Sequence, residues 1–171
     1  MSALRTALSV VVDEVEPVVG DFRRRFDPAV ERRIPAHVTI VFPFAPLDEL
    51  DGAAIRELYA ARPSFAFELA RVERFPEHVW LAPEPRDRFA ELISCTVERF
   101  PEYPPYGGAF AEVIPHLTIA SGEMVDDAEA AARRELGPLL PIPARAAEVA
   151  LLEEQPDETW ARRTGFALGG A

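Results

Sequence analysis

Two short segments of this chain are almost the same, and each reads as the start of a β-strand. The first is IPAHVTI at residues 34–40 and the second is IPHLTI at residues 114–119, which places their histidines 79 residues apart. In each segment a proline opens a run of apolar, mostly β-branched residues, as is typical of a strand bounded by a breaker. The chain has three histidines in 171 residues, so two matched contexts are hard to obtain by chance. The repeat indicates a fold built from two related halves.

The alternation of side chains along a strand groups the polar residues of each segment. A period of two sends His37 and Thr39 to one face and the flanking apolar residues to the other, and His116 and Thr118 follow the same pattern. Either histidine alone could be a hydrogen-bonded structural residue, and the threonines could simply be strand formers. The matched offset in both segments favours the interpretation that all four residues are catalytic.

Two histidines on facing strands suit in-line displacement at a phosphodiester. A neutral imidazole takes a proton from water or a hydroxyl group, a protonated one gives a proton to the leaving oxygen, and a pKa near 6.5 permits both roles. Threonine hydroxyls can donate to the non-bridging oxygens without adding a formal charge. We therefore expect no metal and no cofactor. A zinc site is the alternative, but the histidines lack the short ligand spacings of such sites.

The paired segments resemble those of the 2H phosphoesterase superfamily. The context PAHVTIVFPF at residues 35–44 is similar to bacterial proteins grouped as 2′-5′ RNA ligase-like or RNA 2′,3′-cyclic phosphodiesterases. The resemblance implies a bilobal α+β fold, with two antiparallel sheets related by a pseudo-two-fold axis, a central cleft and outer helices. It also implies catalytic positions for His37, Thr39, His116 and Thr118. Some relatives carry a basic residue shortly after the second segment, where this chain has Ser-Gly at residues 121–122.

Further signals predict the same order of elements in both halves. A strand, a helix, the first motif strand, a helix capped by Asp48 and a hairpin make up the first half. The second half continues with a helix, a proline- and glycine-rich loop over residues 101–108, the second motif strand, an alanine-rich helix and a C-terminal hairpin. Because no Gly/Ser-rich linker divides the chain, we expect a single domain over residues 1–171.

The charge of the chain limits its partners. Eighteen basic and 29 acidic residues give a net charge of −11, which opposes stable docking on long DNA, long RNA or an anionic membrane. The lone Cys95 excludes an internal disulfide and fits a reducing compartment, and no apolar run is long enough to span a bilayer. We expect a cytoplasmic monomer acting on a small nucleotide or an RNA end.

Other polar and aromatic residues are weaker candidates for the site. Phe42 follows the first motif, Tyr106 lies in the proline- and glycine-rich loop, and Arg162 lies on the last strand, so each could contact a substrate. Aromatic residues on strands nevertheless belong to a core more often than to a ligand platform. We expect arginines 23–25 to lie on the solvated face of the first helix, and His78 to be a turn or surface histidine.

Two functions from different classes fit these observations. The first is a metal-independent phosphodiesterase that opens a 2′,3′-cyclic phosphate or cleaves a 2′,5′ linkage. The alternative is a non-catalytic module that binds a nucleotide or cyclic phosphate in the same cleft. Both histidine-threonine pairs are intact, which favours the enzyme.

Overall fold

The computed structural model describes residues 3–170 and has an α+β fold, as expected. Its strands and α-helices are β1 (Thr6–Val11), α1 (Glu16–Phe26), β2 (His37–Val41), α2 (Gly52–Ala60), β3 (Phe65–Phe75), β4 (His78–Glu84), α3 (Arg86–Arg99), β5 (Leu117–Ser121), α4 (Val125–Glu135), β6 (Ile142–Ala146), β7 (Glu148–Glu154) and β8 (Trp160–Ala167). The predicted succession of elements is confirmed, and β6 is an additional strand that the sequence analysis did not assign.

The eight strands of the described residues form one antiparallel sheet in the order β6-β3-β4-β5-β2-β1-β7-β8. This arrangement differs from the expected two separate sheets. The two motif strands, β2 and β5, lie side by side at the centre and pair only at Val38 and Leu117. In two separate sheets, β2 and β5 would be edge strands with unpaired backbone groups. Their pairing in one sheet gives some of these groups a partner. The pseudo-two-fold relation between the two sides of this junction stays a prediction.

One face of the sheet is the core and carries the helices. A continuous cluster of buried side chains joins Val38 and Ile40 of β2 and Leu117 of β5 to residues of all four α-helices, including Phe22 and Phe89. The motif residues of β2 and β5 alternate with these buried positions and are only partly buried. The predicted separation into an apolar and a polar face is confirmed, and the helix-free face carries both motifs.

Two details of the helices differ from the sequence expectation. Helix α2 is capped by Asp51, whose carboxylate accepts a hydrogen bond from the Ala54 amide at 3.0 Å, and not by Asp48. In α1, Arg23 is 3% exposed, although its neighbours Arg24 and Arg25 face solvent as expected. Its guanidinium is buried because carboxylate and carbonyl oxygens surround it.

Over the part of the chain described, none of the helices has the length and apolarity that crossing a bilayer requires.

Candidate active site

The central junction of the sheet brings the four motif residues together. Extending the single β2–β5 pair by one residue in each direction places Thr118 opposite His37 and His116 opposite Thr39. Side chains directly opposite one another on one face of an antiparallel pair have Cβ atoms about 4.5–5.5 Å apart. The four polar side chains therefore share one small area of the face that the helices leave uncovered.

A main-chain carbonyl two residues earlier orients each histidine ring. The Nδ1 atom of His37 lies 2.7 Å from the Pro35 oxygen, and that of His116 lies 2.7 Å from the Ile114 oxygen. Because a carbonyl oxygen can only accept, each Nδ1 carries the hydrogen. The neutral tautomer is thus the same in both motifs, and Nε2 is the nitrogen of each ring that can exchange a proton.

The two Nε2 atoms have different surroundings. That of His37 lies 3.1 Å from the Thr39 hydroxyl, which donates to it in this tautomer. That of His116 has no hydrogen-bond partner within residues 3–170. The His116 ring instead packs against Phe75 and Trp80, with ring centroids 5.1 and 5.8 Å away and steeply inclined planes. The second imidazole is therefore held by aromatic rings and leaves its Nε2 lone pair open.

Burial lowers the pKa of both histidines, because the charged ring loses solvation. The hydrogen bonds to Pro35 and Ile114 act in the opposite direction, since they favour the charged form. Positive charge on Arg23 or on His116 lowers the pKa of His37 further. Protonation of one motif histidine therefore opposes protonation of the other, and a pair with a single extra proton is favoured over a doubly charged pair.

A cavity of about 560 Å³ opens beside the second motif. Its walls are mainly apolar, with the aromatic rings of Phe75, Tyr106 and Phe110 among them. The carboxylates that line it belong to Glu77 and Glu112, and no arginine of the described residues contributes to its walls. A flat, uncharged group suits such a cavity better than a phosphate does.

Tyr106, one of the predicted substrate contacts, lines this cavity and reaches the first motif. Its amide donates to the Phe42 carbonyl oxygen at 2.6 Å. Burial raises the pKa of its phenol, and a hydrogen bond with the Thr39 hydroxyl acts in the opposite direction. Its φ of 53° lies in the left-handed region, and Gly107 and Gly108 follow with positive φ. A non-glycine residue held there stores strain of a kind that clusters at functional sites.

The other two weaker candidates do not line the cavity. Phe42 meets the Trp160 ring edge-on at 5.9 Å, and the Arg5 guanidinium lies 5.4 Å from its centroid. Arg162 lies on β8, at the far edge of the sheet, and is paired with Glu148. Both side chains are thus occupied by neighbours, and their contact with a substrate stays a prediction.

The sequence analysis did not identify two buried donors beside the motifs, although one of them, Trp80, is among the strand aromatics that could stack on a base. Ser9 of β1 is opposite Thr39, and Trp80 of β4 is opposite Thr118. The Ser9 hydroxyl and the Trp80 indole nitrogen are buried and have no hydrogen-bond partner in the described residues. They flank the two threonines on the motif face. The sequence holds no signal for them, because their position depends on strand register between distant segments.

His78 is exposed, as predicted, but it also lines the cavity. Its Nδ1 lies 2.9 Å from the Ser121 hydroxyl, and its charge lowers the pKa of His116. The adjacent strand therefore places an imidazole beside Ser121, at the end of the second motif strand. Within residues 3–170, no three His, Cys, Asp or Glu side chains are grouped so that they could hold a metal ion.

The sequence profile of the 2′-5′ RNA ligase superfamily matches residues 11–158 of this chain, which include both motifs. The chain belongs to this superfamily. The resemblance to 2H phosphoesterases is thereby confirmed. No curated protein sequence matches this superfamily member significantly.

Solved structures share the fold of this 2′-5′ RNA ligase superfamily member. Escherichia coli LigT complexed with NADP⁺ is 17% identical, with 99% of each chain covered and a TM-score of 0.60. TT0787 of Thermus thermophilus is 18% identical, with 97% of this chain and 98% of that chain covered and a TM-score of 0.62. At these identities the similarity shows a LigT-like fold.

Proposed function

We propose that this superfamily member is a metal-independent phosphodiesterase. It opens a 2′,3′-cyclic phosphate or cleaves a 2′,5′ phosphodiester in a small nucleotide or at an RNA end, and ligation is the reverse reaction. The observation that supports this most is the pairing of β2 with β5, since that contact brings two imidazoles and two threonine hydroxyls onto one uncovered face.

In the proposed reaction the two Nε2 atoms transfer the protons. One Nε2 removes a proton from the attacking water as the water oxygen bonds to phosphorus. The other gives its proton to the ribose oxygen as the bond between that oxygen and phosphorus breaks. A pair holding one extra proton meets both needs, since one ring is neutral and the other is charged. The product then carries the phosphate on one ribose oxygen and a hydroxyl on the other.

The hydroxyl groups of Thr39 and Thr118 donate to the non-bridging oxygens in this proposal. For Thr39 this requires its hydrogen to leave His37 Nε2, where it points in the free protein. Binding of the phosphate would therefore free that lone pair for the proton transfer. Ser9 and Trp80 lie next to the two threonines and offer additional neutral donors.

The cavity beside the second motif supports a small substrate. A volume of about 560 Å³ accommodates a nucleobase, and its aromatic walls suit stacking. Glu77 and Glu112 would repel any further phosphate group placed there. E. coli LigT, which shares the fold, is found complexed with 3′-AMP and with NADP⁺. We assign the cavity to the base of the nucleotide that carries the reacting phosphate.

Turnover of nucleoside 2′,3′-cyclic phosphates and a 2′,5′-linked dinucleotide in excess chelator tests this function. We expect many turnovers per protein, the chelator having no effect. The matched control is the double variant His37→Gln, His116→Gln, which keeps polar side chains at both positions but removes both bases. Binding without turnover in the unmodified protein would establish the non-catalytic module instead. Activity that appears only with a divalent metal would contradict the proposed mechanism.

We also propose that residues 1–171 act as one domain and as a monomer, because one chain supplies both motifs across a single strand junction. Light scattering at the concentrations used for turnover checks this. A dimer whose dissociation abolishes activity would contradict it.

A further inference from the structure

A buried ion pair lies behind the first motif. The side chains of Arg23 and Asp27 are 4% and 3% exposed, and Nε of the arginine lies 3.2 Å from a carboxylate oxygen. The two remaining guanidinium nitrogens are also bonded, at 3.3 Å to Glu16 and at 2.9 Å to the Ile34 carbonyl oxygen. A buried charge is tolerated only with this degree of pairing.

The ion pair holds the segment that orients His37. Ile34, whose carbonyl oxygen bonds the guanidinium, directly precedes Pro35, whose own carbonyl accepts from the His37 ring. The other oxygen of Asp27 accepts from the Ala29 amide at 3.1 Å. The Ala29 carbonyl in turn accepts from the Ile34 amide at 3.1 Å. The loop from α1 to β2 is therefore fixed on both sides by the same pair.

The second motif lacks this support. Within the described chain, no arginine or carboxylate hydrogen-bonds to residues 113–115, which precede His116. The His116 ring is held by its own hydrogen bond to the Ile114 carbonyl oxygen and by packing against Phe75 and Trp80, with no ion pair behind that carbonyl. The two motifs are alike in sequence but differ in what stabilises each histidine.

We propose that Arg23 and Asp27 are positioning residues for His37, which fix the Pro35 carbonyl against Nδ1 and act electrostatically on this ring and not on His116. Neither side chain touches a substrate. The expected effect on turnover rests on the proposed function, whereas the effect on the His37 ring does not.

The charges that act on His37 predict opposite effects for the two members of the pair. These charges are Arg23 on α1, Asp27 at the C-terminal end of that helix, and His116, which directly precedes β5. The guanidinium and a charged His116 lower the pKa of His37, while the carboxylate raises it. Loss of the Arg23 charge in Arg23→Gln should therefore raise the pKa of His37 as long as the Pro35 hydrogen bond is kept, and loss of that bond would lower it. In Asp27→Asn both the lost charge and a loosened Pro35 carbonyl should lower the pKa of His37 further. The pKa of His116 should stay the same in both variants.

Titration of the imidazole protons by NMR tests this in the whole protein. The His37→Gln and His116→Gln spectra assign the resonances, and His116 serves as an internal standard. The matched control is Arg24→Gln, an exposed arginine on the same helix that pairs with Asp21. This change should leave the pKa values of both His37 and His116 unchanged.

Steady-state kinetics supply a second readout. A slightly misplaced base lowers kcat by roughly 10-fold to 100-fold, while KM for a cyclic mononucleotide should change little. Arg23→Lys should restore part of kcat relative to Arg23→Gln, because it keeps the charge but not the forked hydrogen bonds. If Arg23→Gln fails to fold, Asp27→Asn and Arg23→Lys carry the same test.

The proposal is overturned if the pKa values of His37 and His116 shift together, or if neither pKa changes in the variants that fold. An unmodified protein without turnover would overturn the proposed function and leave the titration result intact. If kcat falls while the pKa of His37 stays unchanged, the ion pair stabilises the fold and does not position His37.

Discussion

Replacing Glu154 with Gln should destabilise the protein at neutral pH and much less in acid. The Glu154 side chain is 12% exposed and accepts from Arg5 Nε at 2.9 Å and Nη2 at 2.7 Å. The Arg5 amide lies 3.3 Å from the same carboxylate. The hydrogen bonds from Arg5 are the main reason why the pKa of Glu154 is lowered from 4.5 to about 2. Arg5 also covers Phe42 and Trp160, so the pair stabilises the outer part of the motif face.

The size of the effect follows from this pKa. A difference of about 2.5 units corresponds to about 3.4 kcal/mol if it is fully realised. The Arg5 side chain is 44% exposed, so solvent screening reduces the expected cost to about 1–2 kcal/mol. The folded pKa lies below the unfolded one, so this stability is present above about pH 4.5 and is lost as the pH falls toward about 2. At about pH 3 less than half of it remains.

Urea unfolding of the unmodified protein and of Glu154→Gln, at about pH 7 and about pH 3, measures the free energy of unfolding at each pH. The matched control is Glu153→Gln on the same strand, where a single contact at 3.1 Å reaches an Arg163 side chain that is 55% exposed. That change should cost less than about 0.5 kcal/mol at either pH. An equal cost of Glu154→Gln at both pH values would refute the electrostatic reasoning, and so would no cost at neutral pH.

Three further predictions concern the site. Tyr106→Phe removes the hydroxyl that lies next to Thr39 and should lower kcat/KM by about 10-fold with unchanged circular dichroism; unchanged kinetics would show that this hydroxyl does not position the threonine. Because burial lowers the pKa of His37 and His116, the acidic limb of a bell-shaped profile of kcat/KM should lie below about pH 6.5, and a limb above that value would contradict the assignment of the base. With a net charge of −11, a cyclic mononucleotide and an oligonucleotide with the same cyclic end should have similar kcat/KM and weak salt dependence. A large, salt-sensitive advantage for the oligonucleotide would instead reveal an RNA-binding surface.

The motif strands could be predicted because they depend on local rules. The period of two along each strand separates His37 and Thr39 from Val38 without knowledge of any neighbour. What the sequence could not supply is the junction itself, where β2 and β5 meet at one residue pair. The formation of one sheet depends on this contact between distant segments. The matched segments therefore suggested the four residues, and the strand register explains how they meet.

Other misses have equally specific causes. Strand β6 contains Pro143, which reads as a breaker, but β6 lies at the edge of the sheet, where proline is tolerated. Asp48 and Asp51 are both acceptable N-caps, and the choice depends on where α2 meets the core. Arg23 follows the pattern of a solvated arginine cluster, and its burial depends on partners up to 11 residues away. Helix periodicity alone cannot show that a charge is fully paired.

The most direct test of the central claim is the turnover of a nucleoside 2′,3′-cyclic phosphate by His37→Ala, His116→Ala and the double variant. Arg24→Ala is the control, because this exposed side chain lies on α1 and does not line the cavity. Each single motif variant should lose roughly 10²-fold to 10⁴-fold in kcat, with an unchanged urea midpoint. The double variant should be little worse, because the two rings act as a unit. Turnover near that of the unmodified protein in either single variant would contradict the two-histidine mechanism.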